Sequence, residues 1–156
     1  MAAFMLEIDE HCLEALRHWK NENKKCFFCQ KHITQEEQWA WFEGYKQRNN
    51  DLMFIIVDAR GYAMGCLGIR LIDKVKWDVY NVICGRRFHG KGIMYKALAE
   101  LILIAKRLYH VPITAEILAS NKKALAWYKK NGFVVLQYCK DKTIPYYVLQ
   151  YKELLI

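Results

Sequence analysis

The chain has 156 residues, of which 54% are hydrophobic and 14% aromatic, and it contains only two prolines. This length suits one domain, and the composition supplies a packed core, which argues against a disordered chain. The apolar run LAELILIA is interrupted by Glu100 and is too short to cross a membrane, and no leader-like pattern opens the sequence. We therefore expect a single globular domain over residues 1–156, neither secreted nor inserted in a membrane.

The formal net charge of +8 is the bulk property that points towards partners. Such an excess suits nucleic acid, an anionic membrane surface or a polyanionic nucleotide cofactor. Lysines and arginines are spread from Arg17 to Lys152 and form no basic tail. A basic cofactor cleft explains part of the excess, so nucleic acid stays possible without being favoured.

Six cysteines raise the alternatives of a disulfide framework, a metal site or a redox pair. A core this rich in aromatic residues needs no disulfides, so reduced thiols of a cytoplasmic protein are the better interpretation. Cys26 and Cys29 have the spacing of a metal or redox pair. A zinc site would need a second ligand pair, and none follows, so we expect no metal. A redox pair would need a strand before it and a helix after it, and neither is predicted there.

The first third of the chain predicts one strand and two helices. The segment AFMLEI is extended, and Asp9 then caps a helix on which Leu16 and Trp19 share the apolar face. Thr34 and Glu37 have capping-box spacing and open a second helix over ITQEEQWAWFEGY.

The periodicity then changes to that of strands. LMFIIVDA and AMGCLGIRLI predict an antiparallel hairpin, and WDVYNVIC predicts a further strand. A long amphipathic helix follows from about Ile93 to Arg107, and PITAEILA predicts a strand from Pro112. SNKKALAWYKKNG predicts a short helix capped by Ser120 or Asn121 and ended by Gly132, before the strands FVVLQYC and YYVLQYKEL. The order indicates an α+β fold with a mixed sheet.

The loop GRRFHGKG, directly before the long helix, has the composition of a phosphate site. The first N–H groups of a helix lack internal partners and carry partial positive charge, and glycines at 90 and 92 let a phosphate approach them. Arg87 and Lys91 add charge at the rim. The segment matches neither a P-loop nor a dinucleotide fingerprint. Taken alone, it fits a glycine-rich turn without a ligand equally well.

A second motif follows the next predicted strand: Asn121, Ala124 and Tyr128 in NKKALAWY, and then NGF. With RFHGKG upstream, the chain resembles the GNAT superfamily of acetyl-CoA-dependent N-acetyltransferases over roughly residues 52–138. The resemblance implies a central, mixed and mostly antiparallel sheet with a splayed strand pair, flanked by about four helices. It also implies acetyl-CoA as the cosubstrate and an amine as the acceptor.

The resemblance further implies roles for particular residues. Backbone groups of Val82 and Ile83 would bind the pantetheine arm as a further strand would, and Tyr128 would serve the departing thiolate. Asp78 is a candidate base because it alternates with Tyr80 and Val82 on one strand face, although a surface ion pair or a water chain is an equal alternative. The remaining cofactor-binding candidates are Arg87, Phe88, His89, Gly90, Lys91, Gly92, Ile93 and Asn121.

The N-terminal half resembles the branch that acetylates nucleotide-linked amino sugars or ribosomal-protein N-termini. Lys20 and Gln38 stand where that branch has arginine and histidine. Rival hypotheses are a protein or aminoacyl-tRNA acceptor, a basic nucleic-acid-binding module, and a silent domain that only binds CoA. A homodimer stays open.

Overall fold

The computed structural model describes residues 2–140 and 144–153. Within these ranges the chain forms seven strands and four α-helices, together with three short 3₁₀ turns. The strands are β1 (Ala3–Glu7), β2 (Asp51–Asp58), β3 (Ala63–Ile72), β4 (Lys76–Cys84), β5 (Ile113–Leu118), β6 (Phe133–Cys139) and β7 (Tyr146–Tyr151), and the helices are α1 (Leu13–Glu22), α2 (Gln35–Gln47), α3 (Ile93–Leu108) and α4 (Lys122–Lys130).

All seven strands join one sheet in the order β1-β2-β3-β4-β5-β7-β6. Neighbours are antiparallel except β4 and β5, which are parallel because α3 carries the chain across between them. The predicted α+β fold with a mixed, mostly antiparallel sheet and four helices is confirmed.

The helices cover the sheet on both faces. Leu16 and Trp19 of α1 and Phe42 of α2 are buried in one cluster with Met53 and Ile55 of β2. A larger cluster joins α3 and α4 to the other face, and its fully buried members include Leu67, Leu98, Leu101 and Leu149. Each face therefore has its own apolar core.

Local sequence signals explain most element boundaries. Thr34 and Glu37 form the predicted capping box, with the Thr34 hydroxyl accepting from the Glu37 N–H at 3.2 Å. Asp9 caps a 3₁₀ turn that leads into α1, not α1 itself. Gly132, at φ 91°, follows the end of α4 as predicted.

Several strand boundaries differ from the prediction, mostly by one residue: β1 ends at Glu7, β2 spans Asp51–Asp58, β4 begins at Lys76 and β5 ends at Leu118. Strand β5 begins at Ile113, because Pro112 has no N–H to give and uses only its carbonyl, which accepts from the Trp77 N–H at 2.8 Å. Strand β7 ends at Tyr151. The last residue of the predicted strand, Leu154, lies outside the described residues, as do both ends of the predicted domain.

Two further findings concern residues 2–140 and 144–153. No helix there combines the length and the apolar character that a membrane crossing requires. Nor does any group of three or more histidine, cysteine or acidic side chains there come together in a way that could hold a metal ion.

Candidate active site

Strands β4 and β5 diverge part-way along the sheet. They pair only from Trp77 with Ile113 to Val79 with Ala115, although β4 continues to Cys84 and β5 to Leu118. The divergence opens a cleft of about 1080 Å³ between β4, α4 and the segment that follows α1. Backbone groups of β4 beyond Val79 have no β5 partner there, so a ligand can bond to them.

A β-bulge shapes the β4 side of this cleft. Gly68 of β3 lies opposite Tyr80 and Cys66 lies opposite Ile83, so β4 carries one extra residue. Asn81 has a left-handed backbone, with φ of 51°. The extra residue reverses the strand faces that follow it.

The expected grouping of Asp78, Tyr80 and Val82 on one face is therefore wrong. Tyr80 packs towards α1 and α2, whereas Val82 packs against the cluster beneath α3, and Ile83 takes the face that simple alternation gives to Val82. The strand sequence alone does not show a bulge, because a bulge is defined by the partner strand.

The glycine-rich loop forms the other end of the cleft. Gly90 and Gly92 have φ of 77° and 73°, and a Cβ at either position would meet no atom within 4 Å. Gly92 precedes α3, and no side chain of the described residues caps the first N–H groups of that helix. An open turn before an uncapped helix has the geometry of a phosphate site.

The structure divides the predicted cofactor-binding residues into two groups. Arg87 and Lys91 are exposed and do not line the cleft. The Nε2 atom of His89 lies 2.9 Å from the Cys84 carbonyl, a contact that ties the loop back to the end of β4. The other predicted cofactor-binding residues do line the cleft: Val82, Ile83, Phe88, His89, Gly90, Gly92, Ile93 and Asn121.

Asn121 has a structural role that accounts for its spacing from Ala124. Its side-chain oxygen accepts from the Ala124 N–H at 3.2 Å and so caps α4. Of the two predicted caps, Ser120 and Asn121, the structure uses Asn121. The capping oxygen is occupied, which leaves the side-chain amide as the group that can face a ligand.

Tyr128 extends from α4 into the cleft. Its side chain is 3% exposed, and its ring packs edge-on against Trp127 and Phe133 at 5.0 Å between centroids. Burial, with a smaller effect of the Asp78 carboxylate, raises the pKa of the Tyr128 hydroxyl. Because this pKa is raised, the hydroxyl is protonated at neutral pH. No residue of the described ranges forms a hydrogen bond with it, so it is available as a donor.

Asp78 of β4 also lines the cleft. Its Oδ2 atom is 3.4 Å from the Arg70 guanidinium on β3. Burial raises the pKa of Asp78 to about 6, with Arg70 opposing and Glu116 reinforcing the shift. The sequence left Asp78 as either a base facing the acceptor or a member of an ion pair. In the structure it lines the cleft and is also ion-paired.

Several cleft residues were not predicted from the sequence. Lys20, Phe27 and Phe28 come from α1 and the segment after it, and Cys26 and Cys29 line the same wall. Lys20, Cys26 and Cys29 were noted in the sequence, but no pattern placed them at the cleft, because they reach it only through the packing of α1 against β4. Other residues that line the cleft without having been predicted are Arg70, Asn81, Glu116, Lys123 and Trp127.

Residues 6–134 match the model of the acetyltransferase (GNAT) domain family, which is most of the chain. This chain belongs to the GNAT family. It is therefore an acetyl-CoA-dependent N-acetyltransferase, with acetyl-CoA as its cosubstrate. No curated protein matches the sequence significantly.

Solved structures share the GNAT fold of this chain. A domain from Methanocaldococcus jannaschii has a TM-score of 0.79 at 19% identity, covering 96% of this chain and 98% of that one. Spermidine N-acetyltransferase from Vibrio cholerae, solved with CoA and spermine, has a TM-score of 0.81 at 14% identity and coverages of 95% and 94%. Ribosomal-protein-alanine N-acetyltransferase from Brucella melitensis has a TM-score of 0.79 at 19% identity and coverages of 94% and 98%.

Proposed function

We propose that this GNAT chain acetylates the primary amine of a small acceptor, with a nucleotide-linked amino sugar as the leading class. The observation that carries the proposal is the divergence of β4 from β5 after Val79, because it brings Asp78, Tyr128 and the loop before α3 into one cleft. The N-terminal resemblance to the amino-sugar branch supports the acceptor class.

The cofactor end of the cleft has groups suited to each part of acetyl-CoA. Backbone groups of Val82 and Ile83 would bond the pantetheine arm, and the side-chain amide of Asn121 would lie beside it. The loop from Arg87 to Ile93 would hold the pyrophosphate, with Gly90 and Gly92 allowing close approach and the two basic side chains at the rim.

The reaction is attack of a neutral amine on the thioester carbonyl, which forms the amide bond and releases the thiolate of CoA. Asp78 would take the proton of the incoming ammonium, directly or through water. A backbone N–H at the β4 bulge would stabilise the oxyanion. Tyr128 would give its proton to the departing thiolate, and the second proton that the nitrogen loses as the amide forms would return to Tyr128 directly or through water.

A protein N-terminus is the second candidate acceptor, because the branch that the N-terminal half resembles acetylates either nucleotide-linked amino sugars or ribosomal-protein N-termini. The aromatic side chains of ITQEEQWAWFEGY give this candidate less support, because they do not line the main cleft. Trp41 stacks on Tyr45, and Trp39 lies away from the main cleft, against a separate cavity of about 250 Å³.

An acceptor panel tests the proposal. The purified protein is incubated with acetyl-CoA and nucleotide-linked amino sugars, peptides, polyamines or aminoacyl-tRNA, while CoA release and the acetylated product are measured by mass spectrometry. We expect turnover of the amino-sugar nucleotides above the other classes. Acetyl-CoA binding without transfer to any amine would contradict the proposal and leave a silent CoA-binding domain. Nanomolar retention of RNA at physiological salt would favour a nucleic-acid-directed protein.

A further inference from the structure

The cleft wall opposite α4 carries a cation without an ionic partner. The Nζ atom of Lys20 donates to Oδ1 of Asn81 at the β4 bulge and lies 3.6 Å above the centre of the Phe27 ring. Across the described ranges, no carboxylate oxygen comes within 4.0 Å of this Nζ. The titratable groups that act on its charge are the buried thiol of Cys66, the exposed thiol of Cys29 and the guanidinium of Arg70.

The Lys20 amine keeps its charge at neutral pH despite this environment. Burial, with a smaller effect of Arg70, lowers its pKa to about 8, so most molecules carry the ammonium at pH 7. A partly buried cation that no carboxylate compensates is costly unless an anion comes to it.

Arg70 adds a second positive charge to the same wall. Its guanidinium stacks 4.0 Å from the centre of the Tyr80 ring and contacts Asp78 on one side only. Its Nε is buried and has no hydrogen-bond partner among the described residues. Tyr80 and Asn81 are consecutive on β4, so the cations that contact them flank one short stretch of the cleft.

The carboxylates of the cleft lie on β4 and β5. Asp78 on β4 is ion-paired with Arg70, and Glu116 lies on β5. Lys20 is therefore the cation of this wall that no carboxylate of the described residues compensates, and it contacts Asn81, three residues after Asp78 on β4. An acceptor lying along β4 would meet the Asp78 carboxylate and, beyond it, the Lys20 ammonium. A polyamine, positive at each nitrogen, would place a positive charge beside Lys20 and Arg70, which disfavours it.

We propose that the acceptor carries an acidic group, a carboxylate or a phosphate, that binds beside Lys20 at the β4 bulge while its amine lies near Asp78. This inference rests on the proposed function, since it assumes that the amine is acetylated in this cleft. The nucleotide-linked amino sugars of that proposal already bear an anion, and the inference adds the residue that binds it and disfavours acceptors without one.

Acceptors of equal chain length distinguish the effect of the anionic group from that of the amine. Acetyl transfer is measured for a series of ω-amino acids, for aminoalkyl phosphates and for α,ω-diamines of the same chain lengths. We expect kcat/KM to be about tenfold or more higher for an anionic acceptor than for its matched diamine. The carboxylate and phosphate series distinguish the two sources of the anion. Equal or better use of the diamines would overturn the inference.

Variants of Lys20 test whether this residue causes the preference for anionic acceptors. Lys20→Met should raise KM for the anionic acceptors by about 10- to 100-fold, since a hydrogen bond to a charged group is lost, while KM for acetyl-CoA stays unchanged. Lys20→Arg keeps the cation and should retain the preference. Lys152→Met, an exposed lysine outside the cleft, is the control and should behave as the wild type. An unchanged preference in Lys20→Met would contradict the inference.

Calorimetry distinguishes failure of this inference from failure of the proposed function. Acetyl-CoA is titrated first, and an aminoalkyl phosphate is then titrated into the CoA-saturated protein. Binding of the phosphate that Lys20→Met abolishes supports the inference, and absence of phosphate binding to a protein that does bind CoA overturns it. Absence of acetyl-CoA binding would instead contradict the proposed function.

Discussion

At the scale of single residues, removal of the Tyr128 hydroxyl gives the clearest test of the proposed chemistry. This hydroxyl is buried in the cleft and has no hydrogen-bond partner among the described residues, so its removal breaks no bond of the fold. If it protonates the departing thiolate, Tyr128→Phe should lower kcat by about 10²–10⁴-fold while acetyl-CoA affinity and thermal stability change little.

Tyr151→Phe is the matched control for steady-state kinetics on that variant. Tyr151 packs against the same Phe133 ring, at 5.5 Å between centroids, but does not line the cleft. Its kcat should equal that of the wild type. An unchanged kcat in Tyr128→Phe, with chemistry shown to be rate-limiting, would make Tyr128 a packing residue.

Asp78 predicts a pH dependence whose sign follows from its role. A base must be deprotonated, and burial raises the pKa of Asp78 to about 6, so kcat/KM should fall as the pH falls through about 6. Asp78→Asn should abolish this acidic limb and lower the rate at neutral pH. A pH profile of kcat/KM for each variant measures both effects.

Glu116→Gln provides the control for that profile. Glu116 also lines the cleft, and its negative charge raises the pKa of Asp78, so the variant should keep the limb and move it to lower pH. If Asp78→Asn keeps the wild-type limb, water and not Asp78 accepts the proton.

At the scale of elements, the sequence predicted what local spacing determines. The loop before α3 and the helix α4 were predicted because glycines with positive φ and an Asn121 cap act on their immediate neighbours. The mostly antiparallel order of the strands follows from short connections such as the β2–β3 hairpin.

Features set by contacts between distant elements could not be predicted in that way. The β4 bulge depends on the register with β3, so the face of Val82 was misassigned. Lys20 and Arg70 belong to α1 and β3, and only the packed structure brings them to one wall. Residues that contact the acceptor are therefore harder to find from the sequence than those of the cofactor motif.

At the scale of the whole molecule, part of the excess of basic over acidic residues lies in the cleft. Lys20, Arg70, Lys123 and Lys130 line the cleft with only Asp78 and Glu116 as counter-charges. A polyanionic cosubstrate and an anionic acceptor would both be attracted to such a surface. The net charge of +8 is thus accounted for in part by the cleft, without a polynucleotide partner.

The central claim is that this cleft, closed at one end by the loop before α3, binds acetyl-CoA. Calorimetric titration of acetyl-CoA into the wild type, Gly90→Val and Gly61→Val tests it most directly. Gly61 lies in the β2–β3 turn with φ of 86°, and like Gly90 it has no atom within 4 Å of its Cβ position, so both variants carry similar backbone strain. We predict wild-type affinity for Gly61→Val and an affinity about 10- to 100-fold weaker for Gly90→Val, because its side chain obstructs the phosphate. Equal affinities in all three proteins would contradict the account.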